Sequence, residues 1–232
     1  AILLTAFGLG ILVALPPTWI TLTTLLGLSG FAVTKTLAAR VWRSNEGVGL
    51  LLLFSGLSAL ALLPLLLAAP RFVLGVGALG LPFLALFAWE AKEPKITRAL
   101  PVEFFGTLLL SSSAGLALLS AKPSASLDAL LASGAAAALF LPGMPRARML
   151  KEGGWGLRVA LLLLALLGAA SICAYAYFGV VAPWGALAAL IFVGDLRAFF
   201  LAPKVTAKHL GLALTLRGAP AAIVLAFAWR AV

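Results

Sequence analysis

The stretch from Val48 to Ala68 reads VGLLLLFSGLSALALLPLLLA and contains no charged residue. A helix of about 20 apolar residues can cross the hydrocarbon core of a membrane, which is about 30 Å thick. The stretch has that length, and it lacks the alternation of polar and apolar residues that is typical of a membrane β-strand. Lipid offers the backbone no hydrogen-bond partner. A continuous helix lets the backbone N–H and C=O groups bond to one another instead. The sequence therefore predicts a transmembrane helix here.

The rest of the chain follows the same pattern. Of its 232 residues, 63% are hydrophobic and 10% are charged, and the mean hydropathy is +1.16. So few charges cannot cover the surface of a soluble domain, and the apolar excess has to face lipid. We predict an all-α, polytopic transmembrane bundle that forms a single domain over residues 1–232. Prolines and charged clusters divide it into about nine spans: 1–15, 19–39, 48–68, 72–89, 102–120, 127–141, 157–178, 182–201 and 209–229.

The distribution of basic residues predicts the orientation. The loops after the second, fourth, sixth and eighth spans carry most of the Lys and Arg residues, whereas the loops on the other side carry few. Basic loops stay in the cytoplasm, so the N-terminal end is predicted to be cytoplasmic. Topology thus explains the net charge of +10, which does not indicate nucleic-acid binding. The first span is short, and we expect its helix to begin before Ala1.

Few groups in the sequence could carry catalysis or hold a metal. His209 is the only histidine, Cys173 is the only cysteine, and the seven acidic residues are scattered along the chain. No glycine-rich phosphate-binding motif is present. We therefore predict no catalytic residue, no metal and no cofactor, and we leave open a bound lipid or isoprenoid.

Arg217 lies inside the ninth predicted span. It would cost several kcal/mol if it faced lipid, so it should face the bundle interior and have a partner. At a rise of 1.5 Å per residue, Asp195 lies about 12 Å from the turn that joins the last two spans, and Arg217 lies about 15 Å from it. Because these depths match, we predict that the two residues pair, either as a structural ion pair or as part of a polar site. Arg197 is an alternative partner of Asp195.

Two further groups of charged residues are candidates for binding. Glu103 begins the fifth span, where a carboxylate stabilises a helix N-terminus; it could also belong to the same polar site as Arg217 and Asp195. Arg146, Arg148 and Lys151 follow the sixth span. They could contact an anionic lipid headgroup or a phosphorylated substrate, or serve only as the basic loop that sets the orientation.

Several short motifs in a fixed order resemble a known family. They are PLLLAAPR (64–71), the charged loop 89–98, EFFG (103–106), GDLRA (194–198) and KHLG (208–211). Over nearly the whole chain, this order resembles the YwiC-like family of bacterial integral membrane proteins. The resemblance implies a multi-pass protein of the bacterial cytoplasmic (inner) membrane, and it implies no established activity. Members of the family often carry a glutamate and a histidine near the positions of Leu214 and Arg217, and this chain departs from that pattern.

The predicted topology is also similar to that of the UbiA prenyltransferases, which have nine helices and a cytoplasmic start. Those enzymes hold a Mg²⁺-diphosphate with Asp-rich motifs on the 2–3 and 6–7 loops. The corresponding segments here, 38–46 and 144–148, are basic. The similarity therefore implies a helical cavity that could bind a lipid, without the magnesium chemistry.

Two functions of different classes follow from these observations. The favoured one is a non-enzymatic membrane protein that acts as an accessory or assembly factor, or as a subunit of a larger membrane complex, with membrane lipids as its other partners. The alternative is an enzyme or carrier that binds an isoprenoid, a quinone or another amphipathic lipid in a cavity open to the cytoplasm. That cavity would lie near Arg217, Asp195 and Glu103. A secondary transporter is a third reading, without a clear inverted repeat to support it.

Overall fold

A computed structural model describes residues 2–44, 47–92, 100–149, 154–201 and 207–232 of the chain. Within these ranges, the side chains of residues 35–36, 39–40, 42–44, 87–92, 100–101, 147 and 207–217 lie outside the description. The described residues form helices and contain no strand, which confirms the predicted all-α class for this part of the chain.

The helices follow one another with short connections. They are α1 (Ile2–Ala14), α2 (Trp19–Ser44), α3 (Val48–Ala68), α4 (Pro70–Lys92), α5 (Leu100–Ser111), α6 (Ser113–Ala121), α7 (Ser126–Phe140), α8 (Gly143–Met149) and α9 (Trp155–Tyr177), then a 3₁₀ helix (Pro183–Phe192), α10 (Val193–Phe200) and α11 (Ala207–Arg230). Prolines stand at several of the joints, where the missing N–H and the fixed φ angle suit the first turn of a helix.

Five helical stretches of the described chain are long and apolar enough to cross a membrane: 48–68, 102–121, 126–146, 155–177 and 183–200. They coincide with the third, fifth, sixth, seventh and eighth predicted spans, and they define the chain as a helical membrane protein. The remaining predicted spans coincide with shorter apolar helical stretches of the described residues, at 2–14, 19–34, 70–86 and 218–230. The count of nine spans stays a prediction.

Helix α1 lies at the centre of the bundle, against α5, α6, α7 and α11. Its buried face carries Ala6, Leu9 and Gly10. A Cβ built on Gly10 would overlap the carbonyl oxygen of Ala114 and lie 2.9 Å from the Cβ of Ala117. The two helices can therefore approach this closely only because residue 10 has no side chain, as is typical of helix contacts in membranes.

The same kind of contact occurs at two positions in α6 and α7. A Cβ on Gly115 would lie 2.5 Å from the carbonyl oxygen of Ala129, and one on Gly134 would lie 2.7 Å from the hydroxyl of Tyr175. These contacts hold α7 against α6 on one side and against α9 on the other.

Helices α2 and α3 form a hairpin at the edge of the bundle. In the most apolar window of α3 only 11% of the residues are buried, compared with 61% for the stretch 102–121. The exposed side chains of α3 include leucines along the length of the helix, such as Leu52, Leu60 and Leu67. A helix that is apolar all round and this exposed within the protein has to be covered by lipid or by another membrane protein.

Two ends of the bundle can be distinguished by their polar contacts. The basic end is the end that holds α8 with Arg146 and Arg148. At the opposite end, the hydroxyl of Thr18 donates to the carbonyl of Ser120 at 2.8 Å, and Ser120 donates to Thr21 at 2.9 Å. The stretch 102–121 runs from the basic end to the opposite end, and at 1.5 Å per residue it covers a distance close to the thickness of a hydrocarbon core.

Helix α9 is tied to α7 by a hydrogen bond, because the hydroxyl of Tyr175 donates to the carbonyl oxygen of Leu131 at 3.1 Å. We expect Tyr175→Phe to lower the free energy of unfolding by about 1 kcal/mol, since it removes one such bond and little packing. Unfolding by SDS titration in mixed micelles would measure this change. Tyr177→Phe is the matched control because the side chain of Tyr177 is exposed, and it should have almost no effect. Equal effects of the two variants would contradict the prediction.

Candidate functional site

The basic end is organised by the short helix α8, which follows Pro142 between α7 and α9. Arg146 and Arg148 both lie on α8, two residues apart. On a helix of 3.6 residues per turn, such residues point in nearly opposite directions. The two guanidinium groups therefore reach different helices, one towards α10 and the other towards α5.

Arg146 reaches Asp195, with 3.2 Å between its Nη1 and the carboxylate Oδ1. The side chain of Asp195 is completely buried, and that of Arg146 is 18% exposed. Asp195 lies in the first turn of α10, directly after the 3₁₀ helix. An ion pair in such surroundings is screened little by solvent and couples the position of α8 to that of α10.

Arg148 reaches Glu103 through two hydrogen bonds. Its Nε donates to Oε2 at 3.0 Å, and its Nη2 donates to Oε1 at 3.4 Å. This fork-to-fork geometry fixes the carboxylate of Glu103 in one orientation. The Glu103 side chain is 44% exposed, so this pair lies at the surface of the basic end, unlike the pair of Asp195 and Arg146.

The site residues predicted from the sequence are thus brought together in an arrangement that the sequence did not indicate. Arg146 and Arg148, proposed as contacts for an anionic headgroup, each bind a carboxylate of the protein itself. Glu103 lies in the first turn of α5, as expected for a carboxylate that stabilises a helix N-terminus. The pairing of Asp195 with Arg217 stays a prediction, because the side chain of Arg217 lies outside the described residues. Lys151 also lies outside them, so its contact with a headgroup stays a prediction as well.

A cavity of about 330 Å³ lies among α1 to α6 and is partly open to the surroundings. Leucine, valine and phenylalanine side chains form most of its wall, among them Leu28, Phe31, Leu65, Val76 and Phe83. The volume falls within the range of pockets that hold small molecules. Asp195 and Arg146 are not among the described residues that line it.

Three glycines give the cavity its width. Gly77 and Gly80 of α4 and Gly106 of α5 all line it. A Cβ on Gly77 would meet nothing within 4 Å, and one on Gly80 would touch Leu109 only at 3.9 Å. A Cβ on Gly106 would lie 3.2 Å from the ring of Phe83. Larger residues at 77 and 80 would therefore project into free space rather than into a neighbouring helix.

Two serines are the polar groups among the described residues of the wall. Ser112 donates to the carbonyl of Leu109 at 2.7 Å, and Ser113 donates to that of Leu110 at 2.6 Å. Their protons are therefore engaged, and their oxygens can only accept a further hydrogen bond. Neither serine has a base or a carboxylate beside it in the described wall, so this set of groups suits binding rather than nucleophilic chemistry.

The sequence did not predict this cavity. A signal was present in the glycines at 77, 80 and 106, but glycines at similar spacing elsewhere in the chain mark close helix contacts instead, as at Gly10 and Gly115. Whether a missing side chain leaves room for a neighbouring backbone or for a cavity depends on the distance between the helices, and local sequence does not contain that distance.

Among the residues that the structure describes, no three His, Cys, Asp or Glu side chains come together as they would around a metal ion. The fold and the cavity define the class of the protein as a helical membrane protein with an apolar internal pocket. A comparison of the chain with protein-family models, curated proteins and solved structures finds no match.

Proposed function

We propose that this chain is a non-enzymatic integral membrane protein that holds the hydrocarbon tail of a lipid or isoprenoid in the cavity among α1 to α6. The observation that carries the proposal is the apolar cavity of about 330 Å³ inside a bundle of apolar helices, two of which are long enough to cross a membrane. Such a cavity offers water almost no hydrogen-bond partner, whereas hydrocarbon tails surround the protein at high concentration.

The length of the cavity supports a lipid tail as its occupant. Along one face of the stretch 102–121, the lining runs from Gly106 to Leu116. Ten residues of helix span about 15 Å, which is half of a hydrocarbon core of about 30 Å. The cavity is therefore about as long as one leaflet is deep, and its far end at Leu116 lies past the middle of the stretch 102–121 as counted from the basic end.

The wider setting of the proposal rests on the sequence. We propose nine spans with the N-terminal end in the cytoplasm of a bacterium, so that the basic end faces the cytoplasm. The order of motifs that resembles the YwiC-like family is in keeping with such a protein, and the similarity to UbiA prenyltransferases would then extend to a lipid-binding cavity only. Glu103 and Arg148 would stand at the cytoplasmic side of the cavity.

The exposed face of α3 favours a second function, that of an accessory subunit in a larger membrane complex. This helix carries exposed leucines along its whole length, and a partner helix could cover them. Lipid would cover the same face equally well, so the face supports this function less strongly than the cavity supports the first. The two functions are compatible, since a subunit can also hold a structural lipid.

Filling the cavity should abolish lipid retention. In the double variant Gly77→Leu with Gly80→Leu, two leucine side chains start from cavity-lining positions at which a Cβ meets no neighbouring backbone. We expect the wild-type protein to keep one lipid per chain after gentle extraction, and the double variant to keep at least about tenfold less, because the cavity can no longer admit the tail. Native mass spectrometry with lipid extraction would measure both.

Gly75→Leu provides the control for this experiment. Gly75 lies on α4 as well and has free space around its Cβ position, but it does not line the cavity. Each Gly→Leu change has the same effect on helix propensity, so a loss of lipid more than twice that in Gly75→Leu reports the cavity. Equal lipid retention by the double variant and by Gly75→Leu would contradict the proposed function.

A further inference from the structure

We propose, resting on the proposed function, that the cavity selects a phospholipid with an amine headgroup, and that Glu103 is the residue that binds its ammonium group. The helical repeat puts Glu103 on the same face of α5 as two residues that line the cavity. Gly106 and Leu110, which line the cavity, follow Glu103 by three and seven residues. At 100° per residue, these positions share one face of the helix. Glu103 is therefore the next residue on this face of α5 after Gly106 in the direction of the basic end.

We place the mouth of the cavity at the basic end as part of this proposal, and the Glu103 carboxylate can still accept hydrogen bonds there. A carboxylate has about four acceptor positions, and Arg148 uses one on each oxygen. The side chain remains 44% exposed, so the unused positions face outward. A group that binds there has to be a donor, and an ammonium group is the strongest donor that a membrane lipid offers.

Arg148 determines which headgroup the mouth can accept. Its side chain is only 11% exposed, and its two hydrogen bonds hold the carboxylate in a fixed orientation. The arginine thus acts as a positioning residue behind the carboxylate, while the carboxylate is the group presented to the lipid. This arrangement differs from one of the roles that the sequence left open, in which the arginine contacts an anionic headgroup directly.

Selectivity has to arise at the headgroup. The tails of membrane lipids are all about as apolar as the leucines of the cavity wall, so the hydrophobic effect gives little preference for one tail over another. The described wall adds only the oxygens of Ser112 and Ser113, which lie deeper along the helix than Gly106. Among the described groups, Glu103 and Arg148 are the charged side chains that reach the basic end of this face of α5.

The test is a competition between lipids that differ only in the headgroup. The full chain would be equilibrated in mixed micelles with equal amounts of dioleoyl phosphatidylethanolamine, phosphatidylcholine and phosphatidylglycerol, and native mass spectrometry would count the lipids retained. We expect phosphatidylethanolamine to exceed phosphatidylcholine by about tenfold, as a hydrogen bond to a charged group implies, because choline has no N–H to donate. In Glu103→Gln the ratio should fall close to one, because the retention of phosphatidylethanolamine falls while that of phosphatidylcholine stays the same.

Asp128→Asn is the matched control. Asp128 is also an exposed carboxylate in the first turn of a helix, but α7 begins at the end opposite to Arg148. The Asp128→Asn variant should leave the preference for phosphatidylethanolamine over phosphatidylcholine unchanged. Equal retention of the three lipids by the wild-type protein, or enrichment of phosphatidylglycerol, would overturn the assignment of the headgroup and leave the cavity function standing. Retention of no lipid at all would overturn the proposed function itself.

Discussion

Gly10→Ala should lower the free energy of unfolding by about 3 kcal/mol or more, although it adds a single methyl group. The added Cβ would overlap the carbonyl oxygen of Ala114 and lie 2.9 Å from the Cβ of Ala117. Both atoms belong to α6, and the oxygen is part of the backbone, so it cannot swing aside as a long side chain can. Overpacking of this kind costs about 1–3 kcal/mol when side chains can move, and a contact with the backbone lies at or above that range.

The position of α1 makes this effect a global one. Helix α1 packs against four other helices, and its buried face belongs to the main apolar core. Separating α1 from α6 would therefore also disturb its contacts with α7 and α11. We expect the loss to appear as a single cooperative shift in an SDS titration, rather than as local fraying of one helix.

Gly8→Ala is the control, because a Cβ on Gly8 meets nothing within 4 Å. Alanine has a helix propensity about 1 kcal/mol better than glycine, so this variant should be neutral or slightly more stable than the wild-type protein. The two substitutions are chemically identical and lie two residues apart on one helix. A loss of stability in both, or in neither, would show that the close approach of α1 and α6 is not as described.

Asp195→Ala should be the most damaging substitution of a charged residue, with a loss of about 3–5 kcal/mol in the free energy of unfolding. Its carboxylate is completely buried beside the guanidinium of Arg146, at 3.2 Å. Removing one partner of a buried ion pair leaves the other charge in surroundings of low polarity without this counterion. The same titration in mixed micelles would measure the loss.

The pair of Glu103 and Arg148 offers a comparison within the same molecule. It joins the same helix α8 to α5, but the carboxylate is 44% exposed. Exposed ion pairs contribute about 0–1 kcal/mol, so Glu103→Ala should have a small effect. The double variant Asp195→Leu with Arg146→Met should recover part of the stability lost in Asp195→Ala, since it removes both charges of this pair. A mild effect of Asp195→Ala, equal to that of Glu103→Ala, would contradict the importance of the buried pair.

Local sequence predicted the helices well because lipid leaves the backbone one way to satisfy its hydrogen bonds. The span predicted over 48–68 coincides with α3, and the span predicted over 102–120 differs from the observed stretch by one residue at its end. Prolines and charged clusters end or begin a helix within a few residues of their own position. The ends of the helices could therefore be predicted without knowledge of how the helices pack. Helix α2 continues to Ser44, beyond the predicted end at Ala39, because a basic segment can extend a helix past the apolar part.

The partners of the charged residues could not be predicted in the same way. Depth along the helices suggested Arg217 for Asp195, a pairing that stays a prediction, and gave no indication of the contact with Arg146. The short helix α8 turns Arg146 and Arg148 in opposite directions, and only this turn brings one of them to Asp195 and the other to Glu103. The ion pairs join residues 49 and 45 positions apart in the sequence, and no local pattern encodes such a separation.

The sequence by itself thus determined that the chain is a helical membrane protein and where its apolar helices lie, because those properties depend on the composition of each segment and on the demand of the backbone for hydrogen bonds in lipid. Only the tertiary structure decided where a glycine allows a close contact and where it leaves a cavity. It also decided which carboxylate each arginine of α8 binds. Both depend on the distances and angles between helices, which many weak packing contacts establish together.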